Sequence, residues 1–197
     1  MALVTAAPLL LAVAGLVHPR HLTAATAGDW AGLHIVLLPV FPLLVLGLLV
    51  PLWGRPRPDA EGALTVLAWI GCLCFAAYYS GLDAVAGISA GTVVHHGVHG
   101  AAARLFATGD ELGRTGVYGL AVASFATCVV LWRRHGPRVL PGAAVLFAAC
   151  WSFVDSHIFW PKGVFTMIGF AAAFALLAAA ASRPAEDAQQ RQGPENS

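Results

Sequence analysis

Charged side chains are scarce in this sequence. Asp, Glu, Lys and Arg make up only 11% of its 197 residues, and 58% of the residues are hydrophobic. Ordinary soluble domains carry about 25% charged residues. One core in water could not bury so much apolar surface, so lipid must replace water around most of the chain. The composition excludes a soluble domain and predicts an integral membrane protein.

A strong net charge is also missing. The 11 basic and 10 acidic residues leave a formal net charge of +1, which is too weak a field to attract nucleic acid. Lysine is nearly absent, since Lys162 is the only one, and this bias together with the abundant Ala and Gly favours a bacterial protein of the plasma membrane. The predicted partner is the lipid bilayer, and assembly as a homo-oligomer or as a subunit of a membrane complex stays open.

Several catalytic motifs are lacking as well. The cysteines Cys72, Cys74, Cys128 and Cys150 contain no Cys-x-x-Cys pair and no tetrathiolate spacing, so we expect them to be small packing residues. No Ser-His-Asp arrangement and no Gly-rich phosphate-binding loop is recognisable. The sequence therefore predicts neither a thiol redox centre nor a nucleotide-binding site.

Long windows without charged residues are what the sequence does contain. A membrane-spanning helix needs about 20 mostly apolar residues. Six windows approach this length, at residues 1–17, 31–54, 62–82, 115–132, 139–154 (continuing four or five residues past Asp155) and 163–182. We therefore predict an all-α integral membrane protein with about six transmembrane helices. A cleaved signal peptide over residues 1–27 is the alternative for the first window, because Ala25-Thr26-Ala27 resembles a cleavage site.

The basic residues predict the orientation, because Lys and Arg are retained in the cytoplasmic loops. One side holds most of them in short connections: Arg55, Arg57, Arg133, Arg134, Arg138, Arg183 and Arg191. Both termini should therefore be cytoplasmic. Residues 1–182 form the predicted transmembrane domain, and the polar residues 183–197 form a predicted disordered cytoplasmic tail. Residues 84–113 are expected to be an irregular or amphipathic segment at the outer face.

Seven of the eight histidines fall on the outer side in this topology. Neutral imidazole is the commonest ligand for zinc, copper and iron, and several rings from different segments can form one site. Carboxylates near the same ends can act as ligands or can orient an imidazole. The candidate metal ligands are His34, His95, His99, His157, Asp83 and Asp155, to which His18, His21 and His96 add further outer-side rings.

Two known families share part of this pattern. Intramembrane zinc hydrolases of the ceramidase and progestin-receptor type join His and Asp from several helices, but they have seven spans and a histidine pair on the last helix, where this chain has none. Val17-His18-Pro19 resembles the His-Pro element of hydrogenase-accessory nickel permeases, but the Asp-His pair that should follow is missing. Neither family is therefore identified.

Four functions remain open from the sequence. The first is an outer-face His/Asp site that binds a transition metal, Zn or Cu, for metal handling or transport. The second is a membrane redox protein in which two histidines ligate haem b and exchange electrons with quinone. The third is an intramembrane metal-dependent hydrolase with Asp83 or Glu111 as general base. The fourth is a non-catalytic accessory subunit of a membrane complex.

Overall fold

A computed structural model describes residues 1–182, with the exception of the side chain of His99. All regular secondary structure in this part of the chain is helical, which confirms the all-α part of the prediction, and six of its α-helices are longer than ten residues. The predicted tail, residues 183–197, lies outside the described residues. In chain order the α-helices are α1 (Ala2–Val17), α2 (Ala27–Leu37), α3 (Leu46–Leu49), α4 (Ala60–Leu82), α5 (Ala90–His95), α6 (Ala102–His135), α7 (Leu140–Phe153) and α8 (Lys162–Ser182).

Several helical segments are long and apolar enough to cross a membrane. Three qualify by length and composition, at Ala60–His95, Ala102–Phe153 and Lys162–Ser182. A fourth results if Ala27–Leu37 and Phe41–Leu52, which meet at a bend of 42°, form one broken span. Helix α1 is apolar but shorter. These helices indicate a multi-pass membrane protein, and the count of six spans stays a prediction.

The bend after α2 lies at the two prolines of the second predicted span. Pro39 follows α2, and Pro42 lies in the first turn of the 3-10 segment Phe41–Val45. Proline lacks a backbone donor and its ring clashes with the preceding turn, so a helix kinks or ends there. The two prolines therefore account for the bend, which leaves α2 inclined at 42° to the helical segment that follows.

The chain beyond α4 differs from the predicted separate surface segment. The helix does not end at Leu82 but continues as a π-helical stretch, Asp83–Ser89, and then as α5. Small residues allow this extension to pack closely: a Cβ on Gly91 would lie 2.9 Å from the Ala31 Cβ on α2. Asp83 therefore lies inside a long helical run rather than at a helix end in the headgroup region.

Helices α4 and α6 form the closest helix pair of the bundle. A Cβ on Gly71 would lie 2.6 Å from the carbonyl oxygen of Gly119 and 3.0 Å from the Cβ of Ala123. Only hydrogen fits between the two backbones at this crossing. Such contacts between small residues are a common basis of helix association in membranes, where dispersion forces replace the hydrophobic effect.

Replacing Gly71 with Leu is therefore expected to destabilise the protein. The new side chain must push α4 and α6 apart, and overpacking of this kind typically costs about 1–3 kcal/mol or more. Gly32→Leu is the matched control, because no atom lies within 4 Å of a Cβ at that exposed position. Thermal unfolding followed by circular dichroism in mild detergent measures both variants. Equal melting temperatures would show that the α4–α6 contact is not tight.

Candidate metal centre

Three histidines from distant parts of the chain converge at one end of the bundle. His18 follows the last residue of α1, His34 lies on α2, and His157 lies in the connection between α7 and α8. One ring nitrogen from each lies within 4.8 Å of the other two. The rings of His34 and His157 are nearly parallel, with centroids 5.8 Å apart, and the His18 ring is perpendicular to both. This group could hold a metal ion.

Hydrogen bonds at Nδ1 orient the first two rings. The Nδ1 atom of His18 donates to the carbonyl oxygen of Pro19 at 2.8 Å, and that of His34 donates to the carbonyl oxygen of Trp30 at 2.7 Å. A carbonyl oxygen can only accept, so both Nδ1 atoms carry the proton and both Nε2 atoms keep a lone pair. Metal-binding histidines usually have this arrangement, in which a partner on one nitrogen fixes the tautomer and the other nitrogen binds the ion.

The third ring is held by a side chain. Tyr79 on α4 and Nδ1 of His157 form a hydrogen bond of 2.8 Å. When Nε2 of His157 bears the lone pair, Nδ1–H donates to the phenolic oxygen. The Nε2 atoms of His18 and His157 are buried and have no hydrogen-bond partner among the described residues. Buried polar atoms are normally paired, so two unpaired imidazole nitrogens in one group are suited to bind a metal ion.

Asp83 adds a carboxylate to the group. Its side chain is 0% exposed, and its Oδ1 atom lies 3.8 Å from Nε2 of His34. Neither carboxylate oxygen has a hydrogen-bond partner within residues 1–182. A buried carboxylate without partners is costly, and in native proteins such groups pair with a cation, bind a metal or become protonated. The structure thus places an acid beside the three imidazoles. The lone pairs of its two oxygens could bind a cation.

The π-helical stretch shapes the wall of the site. Gly87 packs against the His34 ring so closely that a Cβ there would lie 2.1 Å from Cδ2 of the imidazole. The indole nitrogen of Trp30 donates to the carbonyl oxygen of Ala86 at 3.2 Å, which ties α2 to the same stretch. Single π-helical turns occur frequently at functional sites, because they redirect side chains within a helix. Here the stretch begins at Asp83 itself.

Aromatic rings enclose the imidazoles. Phe159 lies edge-on to His18 with centroids 4.6 Å apart, and Phe41 stacks on His157 at 5.2 Å. His18 is 5% exposed, and burial lowers its pKa to about 4, assisted by the neighbouring His34. The His18 ring is therefore neutral at physiological pH, which is the form that binds a metal. A dry aromatic shell also strengthens the electrostatic attraction between an ion and its ligands.

Other predicted ligands lie elsewhere. His95 and His96 are exposed, with ring centroids 5.4 Å apart, and His21 is also exposed. The histidine group found in the described part of the chain contains none of these three residues. The side chain of His99 is outside the description. Asp155 forms an exposed ion pair with Lys162, so its carboxylate already has a cationic partner away from the three histidines.

Two residues of the site were not predicted from the sequence. Tyr79 holds His157, and Trp30 holds His34 through its carbonyl oxygen. Both contacts join residues whose roles become visible only in the folded chain. A signal for Tyr79 existed, however, because it precedes Asp83 by four residues and so shares its helix face, and a buried phenol usually needs a polar partner.

A cleft leads from the surface to His157, and neither His18 nor His34 lines it. It has a volume of about 280 Å³ and lies between α4, α6 and the connection from α7 to α8. Tyr79 and His157 line its inner part, and Asp110, Arg114 and Asp155 line it nearer the surface. A water-soluble ion or small molecule could therefore reach His157 from outside the bundle.

The chain matches no protein-family model, no curated protein and no solved structure. Its function must therefore be argued from the site itself.

Proposed function

We propose that this multi-pass membrane protein binds a transition-metal ion, Zn or Cu, at an outer-face site formed by His18, His34 and His157, with Asp83 as the nearby carboxylate, and that it serves metal handling or transport. The observation that carries the proposal is the convergence of three ring nitrogens within 4.8 Å of one another. Two of these rings have a buried Nε2 without a partner in the described chain.

The donor set favours a tetrahedral ion. Zinc binds imidazole nitrogen at about 2.0–2.1 Å, and tetrahedral geometry then separates the ligand nitrogens by roughly 3.3 Å. Each pair of nitrogens here would have to approach by at most about 1.5 Å, which small rotations of the side chains can provide. Three histidines leave a fourth position, and the Asp83 carboxylate is the nearest charged group that could fill it. A carboxylate also offsets part of the ion's charge in the low-dielectric interior.

The haem alternative fits this packing less well. Two axial histidines must face each other across the iron, with the wide macrocycle lying between their rings. The His34 and His157 rings instead have centroids 5.8 Å apart, and His18 lies edge-on within 5.9 Å of both. A macrocycle would have to displace the third histidine and the surrounding aromatic rings. One small ion requires no such rearrangement.

A metal-dependent hydrolase is the second candidate function. A bound zinc ion would supply Lewis acidity at the fourth position, as in catalytic sites with three protein ligands. Asp83 would then hold or move a proton, since its oxygens have no other partner in the described chain. The cleft beside His157 would admit the substrate. Glu111, the other acid considered from the sequence, is exposed and does not line this cleft.

The test of the proposal is the metal content of protein purified in mild detergent without chelator. We expect about one Zn or Cu per chain by elemental analysis, and no Soret band in the absorbance spectrum. Dialysis against a chelator followed by titration with Zn²⁺ should restore a single site. A protein that neither retains nor takes up any transition metal would overturn the proposal, and a haem band would favour the redox alternative.

The proposed outer location of the site makes a separate prediction. A fusion reporter after His135 should report the cytoplasm, and one after Thr108 should report the outer side, because the arginines cluster near the first position. The measurement uses a reporter pair, one active only in the cytoplasm and one only outside it. The reverse pattern would place the histidine group on the cytoplasmic side and contradict an external metal supply.

A further inference from the structure

An apolar groove lies between the helical segment around α3 and the face of α4. Its volume is about 630 Å³, within the range of small-molecule sites. One wall is formed by Val45, Leu49 and Trp53, and the other by Trp69, Leu73 and Ala76. The residues of each wall are spaced by three or four positions, so each wall is a single helix face. Neither wall contributes a charged side chain to the groove.

The dimensions of the groove suit a lipid chain. From Trp69 to Ala76 the wall rises over seven residues, which is about 10 Å along a helix. One leaflet of the hydrocarbon core is about 15 Å deep. The groove therefore covers about two-thirds of the depth of one leaflet, and it opens at Gly54, where the chain leaves the segment around α3. Tryptophan is enriched at the headgroup level of membranes, and Trp53 is 85% exposed at this opening.

A polar pocket adjoins the open end of the groove. It has a volume of about 40 Å³ and shares Trp53 and Gly54 with the groove. An apolar slot thus leads directly into a basic pocket, which is the arrangement that an amphiphile with an anionic head requires. The basic residues that line the pocket are Arg55, Arg57 and Arg134.

The charge at this pocket remains positive after internal pairing. Arg57 forms an ion pair with Asp59 at 3.1 Å, and Arg134 donates to Glu61 through two nitrogens at 2.6 and 2.8 Å. Arg55 is exposed and makes no hydrogen bond or ion pair within the described part of the chain. Three guanidinium groups therefore face two carboxylates, and Arg55 is left for an external anion. Arginine is well suited to bind phosphate oxygens.

We propose that the groove and the basic pocket together bind one anionic phospholipid of the surrounding leaflet. An acyl chain lies between the Val45–Leu49–Trp53 and Trp69–Leu73–Ala76 faces, and Arg55 binds the phosphate or the acidic head group. The proposed lipid site lies far from the histidine group. Glu61 at the basic pocket and Asp83 beside the histidines are 22 residues apart on the same helical run, or about 33 Å. The bound lipid would fill the space beside the broken helix and hold α3 against α4.

Native mass spectrometry of the full chain tests the proposal. The protein in detergent is mixed with equal amounts of phosphatidylglycerol and phosphatidylcholine, and the lipids that stay bound after release from the detergent are identified by mass. We expect one phosphatidylglycerol to be retained in preference. Ala76→Phe places a ring at one end of the groove, where it obstructs the acyl chain, and should lower retention. Ala77→Phe is the matched control on the neighbouring exposed position, which does not line the groove, and should leave retention unchanged. Equal retention of the two lipids, or identical behaviour of the two variants, would overturn the proposal.

The head-group contact is tested separately, with a variant that leaves the groove and its packing intact. Arg55→Gln should lower the preference for phosphatidylglycerol by roughly fivefold, the factor expected for one basic residue near an anionic surface. Arg20→Gln is the control, because Arg20 is also exposed but follows α1 near His18. An unchanged preference in Arg55→Gln would overturn the assignment of the anionic head to this pocket.

Discussion

Replacing His157 with Phe is expected to remove high-affinity metal binding while the helical bundle stays folded. Phe preserves an aromatic ring among the stacked rings of Phe41, Tyr79 and His34, but it has no nitrogen to bind an ion. Loss of a residue that only supports a metal ligand typically costs about 10–100-fold in affinity. Loss of a ligand itself should cost more than that, so the affinity for Zn²⁺ should fall by more than roughly 100-fold.

The measurement is competition for Zn²⁺ against a chromophoric chelator in detergent, with circular dichroism and size exclusion to verify folding. His96→Phe is the matched control, because the same substitution is made at an exposed histidine outside the group. Joint replacement of His95 and His99 by Ala tests two other histidines that were predicted as ligands. If metal binding survives His157→Phe but disappears with this joint replacement, the metal site lies at residues 95–99 instead.

Hydropathy and charge were sufficient to predict the helical membrane fold. Charge-free windows and helical segments coincide closely at Gly62–Leu82 and Gly163–Ser182, where α4 and α8 lie. These properties are local, because a helix in lipid must satisfy its own backbone whatever its neighbours are. The bend after α2 is equally local in origin, since the effect of Pro39 and Pro42 on the backbone acts within one turn.

The membership of the site depends on packing that the sequence does not display. His18, His34, His157 and Asp83 were all among the predicted ligands, and the structure brings these four near one another. His95 and His99 were also candidates, because both fall in the segment that was predicted to lie at the outer face. The π-helical continuation of α4 instead leaves His95 exposed at the end of α5.

Asp155, another candidate ligand, lies away from the three histidines for a different reason. The window at 139–154 was expected to continue four or five residues past Asp155, but α7 ends at Phe153, and the following residues leave the helix. Asp155 is therefore exposed and pairs with Lys162 at the start of α8. Hydropathy alone cannot locate the end of α7 at Phe153, because the apolar residues continue beyond the end of the helix.

Replacing Asp83 with Leu is expected to change metal affinity and stability in opposite directions. Leu has the same branching as Asp and no polar atoms, so it removes two buried oxygens that lack partners in the described chain. A buried polar group without a partner costs about 1–3 kcal/mol, and more when it is charged. The metal-free variant should therefore be more stable than the metal-free wild type by about 1–3 kcal/mol, as measured by thermal unfolding in detergent.

The same substitution should weaken Zn²⁺ binding by about 10–100-fold, whether the carboxylate binds the ion directly or acts beside it. At one fixed Zn²⁺ concentration the stabilisation by the ion should shrink by about 1.4–2.7 kcal/mol, because ligand stabilisation grows with the logarithm of the affinity for the folded state. Asp155→Leu is the control: it also removes a carboxylate, but an exposed one paired with Lys162, and should leave Zn²⁺ affinity unchanged. A metal-free Asp83→Leu protein that is less stable, with unaltered Zn²⁺ affinity, would show that Asp83 serves the packing of the π-helical stretch. We expect instead a more stable metal-free variant that binds Zn²⁺ more weakly. That combination would indicate that the two buried oxygens of Asp83 are retained because an ion binds beside them.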